Sequence, residues 1–190
     1  MEVGRRIMKL RTKIWTAAAA ATFATALCAQ AQAQSFGIHD IKAGLLLHDV
    51  PDLWSGFSLE HRYVDVNVEV SFIGLPFLGG TLRPVIGGTV NANGGTSHAY
   101  ADARWQFELP LNLFVSTGLG IAVHDGYIDP TEIDRKALGS RALFHIPFEL
   151  GYRLDRHHSV SFYFEHTSNA GLANYNEGMD RLGLRYGYRF

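Results

Sequence analysis

Cysteine is almost absent from this chain: Cys28 is the only one in 190 residues. It lies in a segment with the marks of an export signal, so the remainder has neither a disulfide framework nor a thiolate metal site to hold it together. Nor does Cys28 read as a lipoprotein anchor, because Leu27 stands directly before it rather than three positions earlier. Charge of one sign is missing as well. Lys and Arg number 17 against 18 Asp and Glu, which leaves no electrostatic footprint for nucleic acid. After the N-terminal segment there is also no apolar run near the 20 or so residues that a transmembrane helix needs.

What is present begins with Arg5, Arg6, Lys9, Arg11 and Lys13 ahead of an alanine-rich apolar stretch from Ile14 to Ala29. A basic region, a short apolar core and small residues at Ala29, Ala31 and Ala33 are the order of a secretory signal, with cleavage expected after Ala31 or Ala33. Met8 is an alternative start. The expected organisation is a signal peptide over residues 1–33 and a single β-barrel domain over 34–190.

Many segments of about ten residues alternate apolar and polar side chains, the pattern of transmembrane strands. In the clearest, Val64, Val66, Val68, Val70 and Phe72 enclose Asp65, Asn67, Glu69 and Ser71, and period two puts the valines on one face. The same period predicts strands at 41–47, 82–90, 99–109, 113–123, 142–152, 160–168 and 182–190. Between their apolar positions lie Lys42, Asp102, Arg104, Glu108, His145, Glu149 and Arg153, too many charges for the inside of a soluble sandwich. The expected fold is therefore all-β: an eight-stranded antiparallel transmembrane barrel, apolar outside and polar inside, closed because lipid satisfies no sheet edge. A soluble lipocalin-like barrel would show similar alternation.

Short links at 109–112 and 155–158 read as periplasmic turns, and the longer stretches at 49–56, 125–139 and 169–179 as outer loops. The terminal Tyr186-Gly187-Tyr188-Arg189-Phe190 is similar to the assembly signal of bacterial outer-membrane proteins.

Parity singles out three polar residues. His166 and Ser168 continue the series Val160, Phe162, Phe164, and Asp180 opens the series Leu182, Leu184, Tyr186, so all three share the lipid-facing side at the outer rim. A hydroxyl, an imidazole and a carboxylate on adjacent strands are what a serine hydrolase needs. Polar groups near the interface are also cheap, about 0–1 kcal/mol, so residue types alone leave site and ordinary interfacial polarity both open. Asn169 and the N–H groups of Ala170 and Gly171 are candidate oxyanion donors, with plain turn chemistry as the alternative. Glu177 is a rival acid in the loop, and Glu165 has the wrong parity. The other histidines show no compact ligand spacing, so no metal and no cofactor is expected. Gly87-Gly88 and Gly94-Gly95 open no helix and so form no phosphate loop.

The run His166-Thr167-Ser168-Asn169-Ala170-Gly171, with Asn176-Glu177-Gly178-Met179-Asp180 and a last strand ending at Phe190, resembles the outer-membrane lipid A 3-O-deacylase family of the PagL type. Weaker similarity around Gly118-Leu119-Gly120 and Val123-His124-Asp125-Gly126 extends it over the mature chain. The resemblance implies an eight-stranded barrel that hydrolyses the ester at position 3 of lipid A through an outward-facing triad. By position, His166 would be the base, Ser168 the nucleophile and Asp180 the acid. The family motif carries Glu where this chain has Asp180, which requires a closer approach of the two strands.

The expected function is thus removal of the 3-hydroxyacyl chain from lipid A in the outer leaflet. A phospholipase or general esterase, and a non-catalytic structural or adhesive barrel, remain open beside it. The partners implied are lipid A or lipopolysaccharide as substrate and the surrounding outer-membrane lipids, without nucleic acid, and a homodimer is left open.

Overall fold

The computed structural model describes residues 32–33, 36–56, 60 and 63–190. The expected signal peptide, residues 1–33, falls outside these apart from Gln32 and Ala33. Among the described residues no helix is long and apolar enough to cross a membrane. Ile38–Arg189 form one compact unit, built from strands β1 (Ile38–Leu47), β2 (Val64–Phe72), β3 (Leu75–Phe77), β4 (Gly80–Asn91), β5 (His98–Glu108), β6 (Leu113–His124), β7 (Ala142–Arg153), β8 (His158–Ser168) and β9 (Met179–Arg189). All neighbours are antiparallel; β1 pairs with β9, and β2 pairs with β4 to close the ring. Strand β3 continues the crossing of β2 along β4 after a break at Ile73-Gly74, so the barrel has eight strands. Closure leaves no unpaired edge to face lipid.

Alternation sorts the side chains as the period requires. Val64, Val66 and Val68 are about half exposed on the outer face, while Asp65, Asn67 and Glu69 are buried inside. Cysteines placed singly at Val64, Val66 and Val68 and given a fluorophore should be quenched by lipid-borne quenchers, and those at Asp65, Asn67 and Glu69 should not. A mixed pattern along the strand would overturn this register.

The lumen is filled by ion pairs rather than by an apolar core. Glu149 joins Lys42 at 2.7 Å and Arg185 at 2.9 Å; Glu69 joins Arg185 at 3.0 Å and Arg104 at 2.9 Å; Asp102 joins Arg104 at 2.7 Å and His145 at 2.8 Å. Each buried charge has an opposite partner, which offsets its desolvation and makes the loss of any one member costly. Among the described residues, only Glu108 and Arg153, at the periplasmic end, form a pair with an exposed carboxylate. Glycines on the lumenal side make room for these groups: a Cβ at Gly120 would run into the Asp102 side chain.

The outer loops are stitched together over one end. Glu60 accepts the Thr96 N–H at 2.7 Å and faces Arg135 at 3.2 Å, while Asp49 accepts the Glu60 N–H at 2.6 Å and pairs with Lys136 at 2.8 Å. Burial pushes the Glu60 carboxyl up, but His48, Arg135 and the Thr96 N–H outweigh it and hold the group at about 2. Three connections of distant sequence are thereby tied into one cap, which fixes where the first loop, residues 48–56, descends on the barrel wall.

Candidate active site

The end of β8 and the start of β9 lie opposite each other, with His166 directly paired to Asp180, Ile146 on the other side of His166, and Phe144 opposite Ser168. Direct opposition brings two side chains of one face as close as a sheet allows, and this lets a short aspartate reach the imidazole. His166 Nδ1 lies 2.6 Å from Asp180 Oδ1, and His166 Nε2 lies 2.8 Å from Ser168 Oγ. An ionised carboxylate can only accept, so the imidazole proton sits on Nδ1 and Nε2 is left as an acceptor for the serine hydroxyl. The three residues form one hydrogen-bonded chain in the sense that proton removal from Ser168 requires.

Although they share the parity of the lipid-facing series, these residues are not bare. His166 is 5% exposed, Ser168 9% and Asp180 0%. The first outer loop covers them. Trp54 stacks on the His166 ring at a centroid distance of 4.6 Å and an interplanar angle of 11°. The backbone N–H groups of Trp54 and Ser55 both donate to Asp180 Oδ2 at 2.6 Å. Two main-chain donors on one carboxylate oxygen hold it in its charged form and aim the other oxygen at the histidine. Gly178, at φ 61°, packs against the same imidazole, and a Cβ there would come within 3.2 Å of His166 Cε1. Both the positive φ and the close approach call for glycine.

Sequence reasoning missed Trp54, Ser55 and Asn176. No periodicity marks a loop residue whose backbone reaches a strand more than a hundred positions away. Asn176 lines the cleft over Ser168, and its Oδ1 accepts the Asn169 N–H at 2.9 Å, which leaves its Nδ2 donors for another partner. That residue stood in the motif the sequence displays, so a signal for it existed.

The expected oxyanion donors fare differently from one another. The Asn169 amide is committed to the carbonyls of Leu138 at 2.8 Å and Tyr175 at 2.5 Å, so this side chain holds the last outer loop together and is not free to meet a substrate. The Gly171 N–H is likewise taken by Asn169 Oδ1 at 2.9 Å. Ala170, at φ 56°, lines the cleft, and among the described residues its N–H has no hydrogen-bond partner. Glu177 also borders the cleft, but its Oε2 accepts the Ala137 N–H at 2.6 Å, and the oxygen on His166 belongs to Asp180.

Two further features bear on the chemistry. The cleft above Ser168, bounded by Trp54, Ile146 and Ala170, has a volume of about 380 Å³ and opens to the outside of the barrel. In the lumen, His98, His145 and Glu165 bring ligand atoms within 4.8 Å of one another. Arg181 donates to His98 Nδ1 at 3.0 Å, however, so His98 carries its proton on Nε2, the atom facing Glu165 at 3.4 Å. With Arg181 also 3.6 Å from Glu165, the trio is a lumenal ion-pair network, and its donor chemistry does not suit a cation.

Fold and site together define the class: an outer-membrane β-barrel with a hydrogen-bonded serine, histidine and carboxylate on its outer wall. The family model described as lipid A 3-O-deacylase (PagL) matches residues 84–189, more than half of the chain, and the chain belongs to that family. In three dimensions it is similar to the crystal structure of the outer membrane enzyme PagL, with a TM-score of 0.60 at 20% identity over 78% of this chain and 97% of that one, a likeness of fold. It is more distantly similar to the Yersinia pestis outer membrane protein Ail, solved in a phospholipid bilayer nanodisc, with a TM-score of 0.49 at 13% identity over 81% of this chain and 99% of that one. No curated protein sequence matches the chain.

Proposed function

We propose that the protein hydrolyses the ester-linked 3-hydroxyacyl chain at position 3 of lipid A, from the outer leaflet, with Ser168 as nucleophile, His166 as base and Asp180 as the acid that orients it. The reading is carried by the unbroken chain from Ser168 Oγ through His166 to Asp180 Oδ1, at 2.8 and 2.6 Å, on the lipid side of a barrel whose family is that of lipid A 3-O-deacylases. Ser168 attacks the ester carbonyl while His166 Nε2 takes its proton. The Ala170 N–H and the Asn176 amide are the donors left over for the oxyanion, since Asn169 and Gly171 are engaged elsewhere. As the tetrahedral species collapses, the imidazolium returns the proton to the departing sugar oxygen. Water, deprotonated by His166, then releases the hydroxy acid from Ser168. Position at the rim suits the substrate, whose esters lie between sugars in the headgroup layer and acyl chains in the hydrocarbon. Residues 1–33 are read as the export signal, on the basic residues and small cleavage positions of the sequence.

Mass spectrometry of lipid A from cells with and without the protein tests this reading. Loss of the mass of one hydroxyacyl chain, with the phospholipid profile unchanged, is the expected result. Unchanged lipid A with a folded barrel in the outer membrane would leave a structural role, and shortened phospholipids would point to a phospholipase.

A further inference from the structure

Two loops wall the cleft over Ser168: the first outer loop through Trp54, Ser55 and Gly56, and the last through Ala170, Asn176 and Glu177. Neither wall is part of the sheet, so each stands where its ties to other segments put it. Those ties converge on one short stretch, Lys136-Ala137-Leu138, in the loop between β6 and β7. None of these three residues lines the cleft, yet each binds one of its walls.

Lys136 is 1% exposed, and its ammonium meets Asp49 Oδ1 at 2.8 Å. An ammonium shut away from water stays with its carboxylate, because parting them would leave two buried charges unpaired. Asp49 stands at φ 46°, a left-handed conformation that aspartate tolerates but does not impose. Lys136 and the Glu60 N–H, one on each carboxylate oxygen, hold it there. The chain that leaves Asp49 then meets Asp180 three times. Val50 donates its N–H to the Asp180 carbonyl at 2.8 Å, and the Trp54 and Ser55 N–H groups donate to Oδ2. On the other side, Ala137 donates to Glu177 Oε2 at 2.6 Å and accepts the Glu177 N–H at 3.3 Å. Glu177 lies between Asn176, which lines the cleft, and Gly178, which packs on His166. Leu138 accepts the Asn169 amide and is buried with Leu143 and Met179, which anchors the stretch to the barrel rim.

We infer that Lys136 is a positioning residue for the hydrolytic site: through Asp49 it sets the first outer loop so that the Trp54 and Ser55 N–H groups meet Asp180. The inference rests on the hydrolytic reading of Ser168 and goes beyond it by placing control of the acid in a loop that does not touch the cleft. Without the ammonium, Asp49 loses the partner on one oxygen, and the loop is free to lift Trp54 from His166 and its two donors from Asp180. A displacement of about 1 Å in such an arrangement costs about a hundredfold in rate. A tie that served only to stabilise the barrel would change the amount of folded protein and leave the turnover of each folded molecule as it was.

The test uses the refolded full chain in detergent, with kcat and KM for hydroxyacyl release from purified lipid A measured on protein of wild-type heat-modifiable mobility. Lys136→Met should lower kcat about a hundredfold and leave KM nearly unchanged. Asp49→Asn, which keeps an acceptor for the Glu60 N–H, should do the same, and the double variant should be no worse than either because both break one link. Trp54 emission, taken as the difference from the same protein carrying Trp54→Phe, reads the loop without reference to activity. A stacked imidazole quenches an indole, so this emission should rise in Lys136→Met and in Asp49→Asn. Ile133→Ser, in the same loop but 98% exposed, should change neither readout. Should Lys136→Met fail to fold, Asp49→Asn carries the test alone. Full turnover in the folded variants, losses that multiply in the double variant, a fall in kcat with unaltered Trp54 emission, or an equal loss in Ile133→Ser would overturn the positioning role. Wild-type protein no more active than Ser168→Ala would instead bring down the hydrolytic reading, and the positioning role with it.

Discussion

Ser168→Ala and His166→Ala should each lower hydroxyacyl release from purified lipid A by at least about a thousandfold, and the double substitution should be hardly worse than either alone. The serine hydroxyl and the imidazole are successive members of one hydrogen-bonded chain, so removing either disables the same proton transfer. Fold should survive. Both side chains lie on the outer wall beneath the first loop, apart from the lumenal ion pairs that join the strands internally. Refolded variants with wild-type heat-modifiable mobility would establish this, and lipid A assayed before and after incubation reads the activity. Release persisting at the wild-type rate in Ser168→Ala would exclude this serine as nucleophile.

The second large effect is expected at Asp180, where the chain departs from the glutamate of the family motif. Asp180→Asn should cut turnover by about 10⁴-fold, as a carboxamide in this position supports the wrong imidazole tautomer. The surroundings dictate which way the amide would sit. Trp54 and Ser55 N–H both point at Oδ2, so the amide oxygen would turn to them and the NH₂ would face His166. Nδ1 would then have to accept, the proton would move to Nε2, and that nitrogen could no longer take a proton from Ser168. Asp180→Glu keeps the charge and should lose far less, although its extra methylene has to fit a fully buried position already in contact at both oxygens. Glu177→Gln should be nearly neutral, because a glutamine oxygen can still accept the Ala137 N–H that Glu177 holds. If Glu177→Gln were inactive and Asp180→Asn active, the assignment of the acid would be wrong.

The covering loop is the least expected part of the site. An outward-facing histidine at the membrane rim would be solvated by headgroups, yet His166 is stacked under Trp54 and its acid is held by two main-chain donors. This arrangement fixes the orientation of the Asp180 carboxylate from the side away from the histidine. It also places an indole, itself half exposed, at the border of the cleft over Ser168.

Much of this was written in the sequence because strand geometry is local. Side chains in a strand alternate whatever the rest of the chain does, so Val64 to Phe72 announced its two faces, and the charges between the apolar positions announced a polar lumen. The same parity set His166, Ser168 and Asp180 on the outside and excluded Glu165, which lies in the lumen with His145. What parity could not supply was anything settled between elements distant in sequence. That Trp54 and Ser55 bind Asp180, that Asn169 serves Leu138 and Tyr175 instead of a substrate, and that the second crossing breaks at Ile73-Gly74 into β2 and β3 depend on how loops dock and how the ring closes. Such contacts pair groups across the barrel or its outer cap, and each is chosen by competition among all the donors and acceptors the fold brings together. The sequence by itself therefore determined the barrel, its two faces and the outward placement of His166, Ser168 and Asp180; only the tertiary structure decided which backbone groups hold Asp180 and which donors around the cleft remain unpaired.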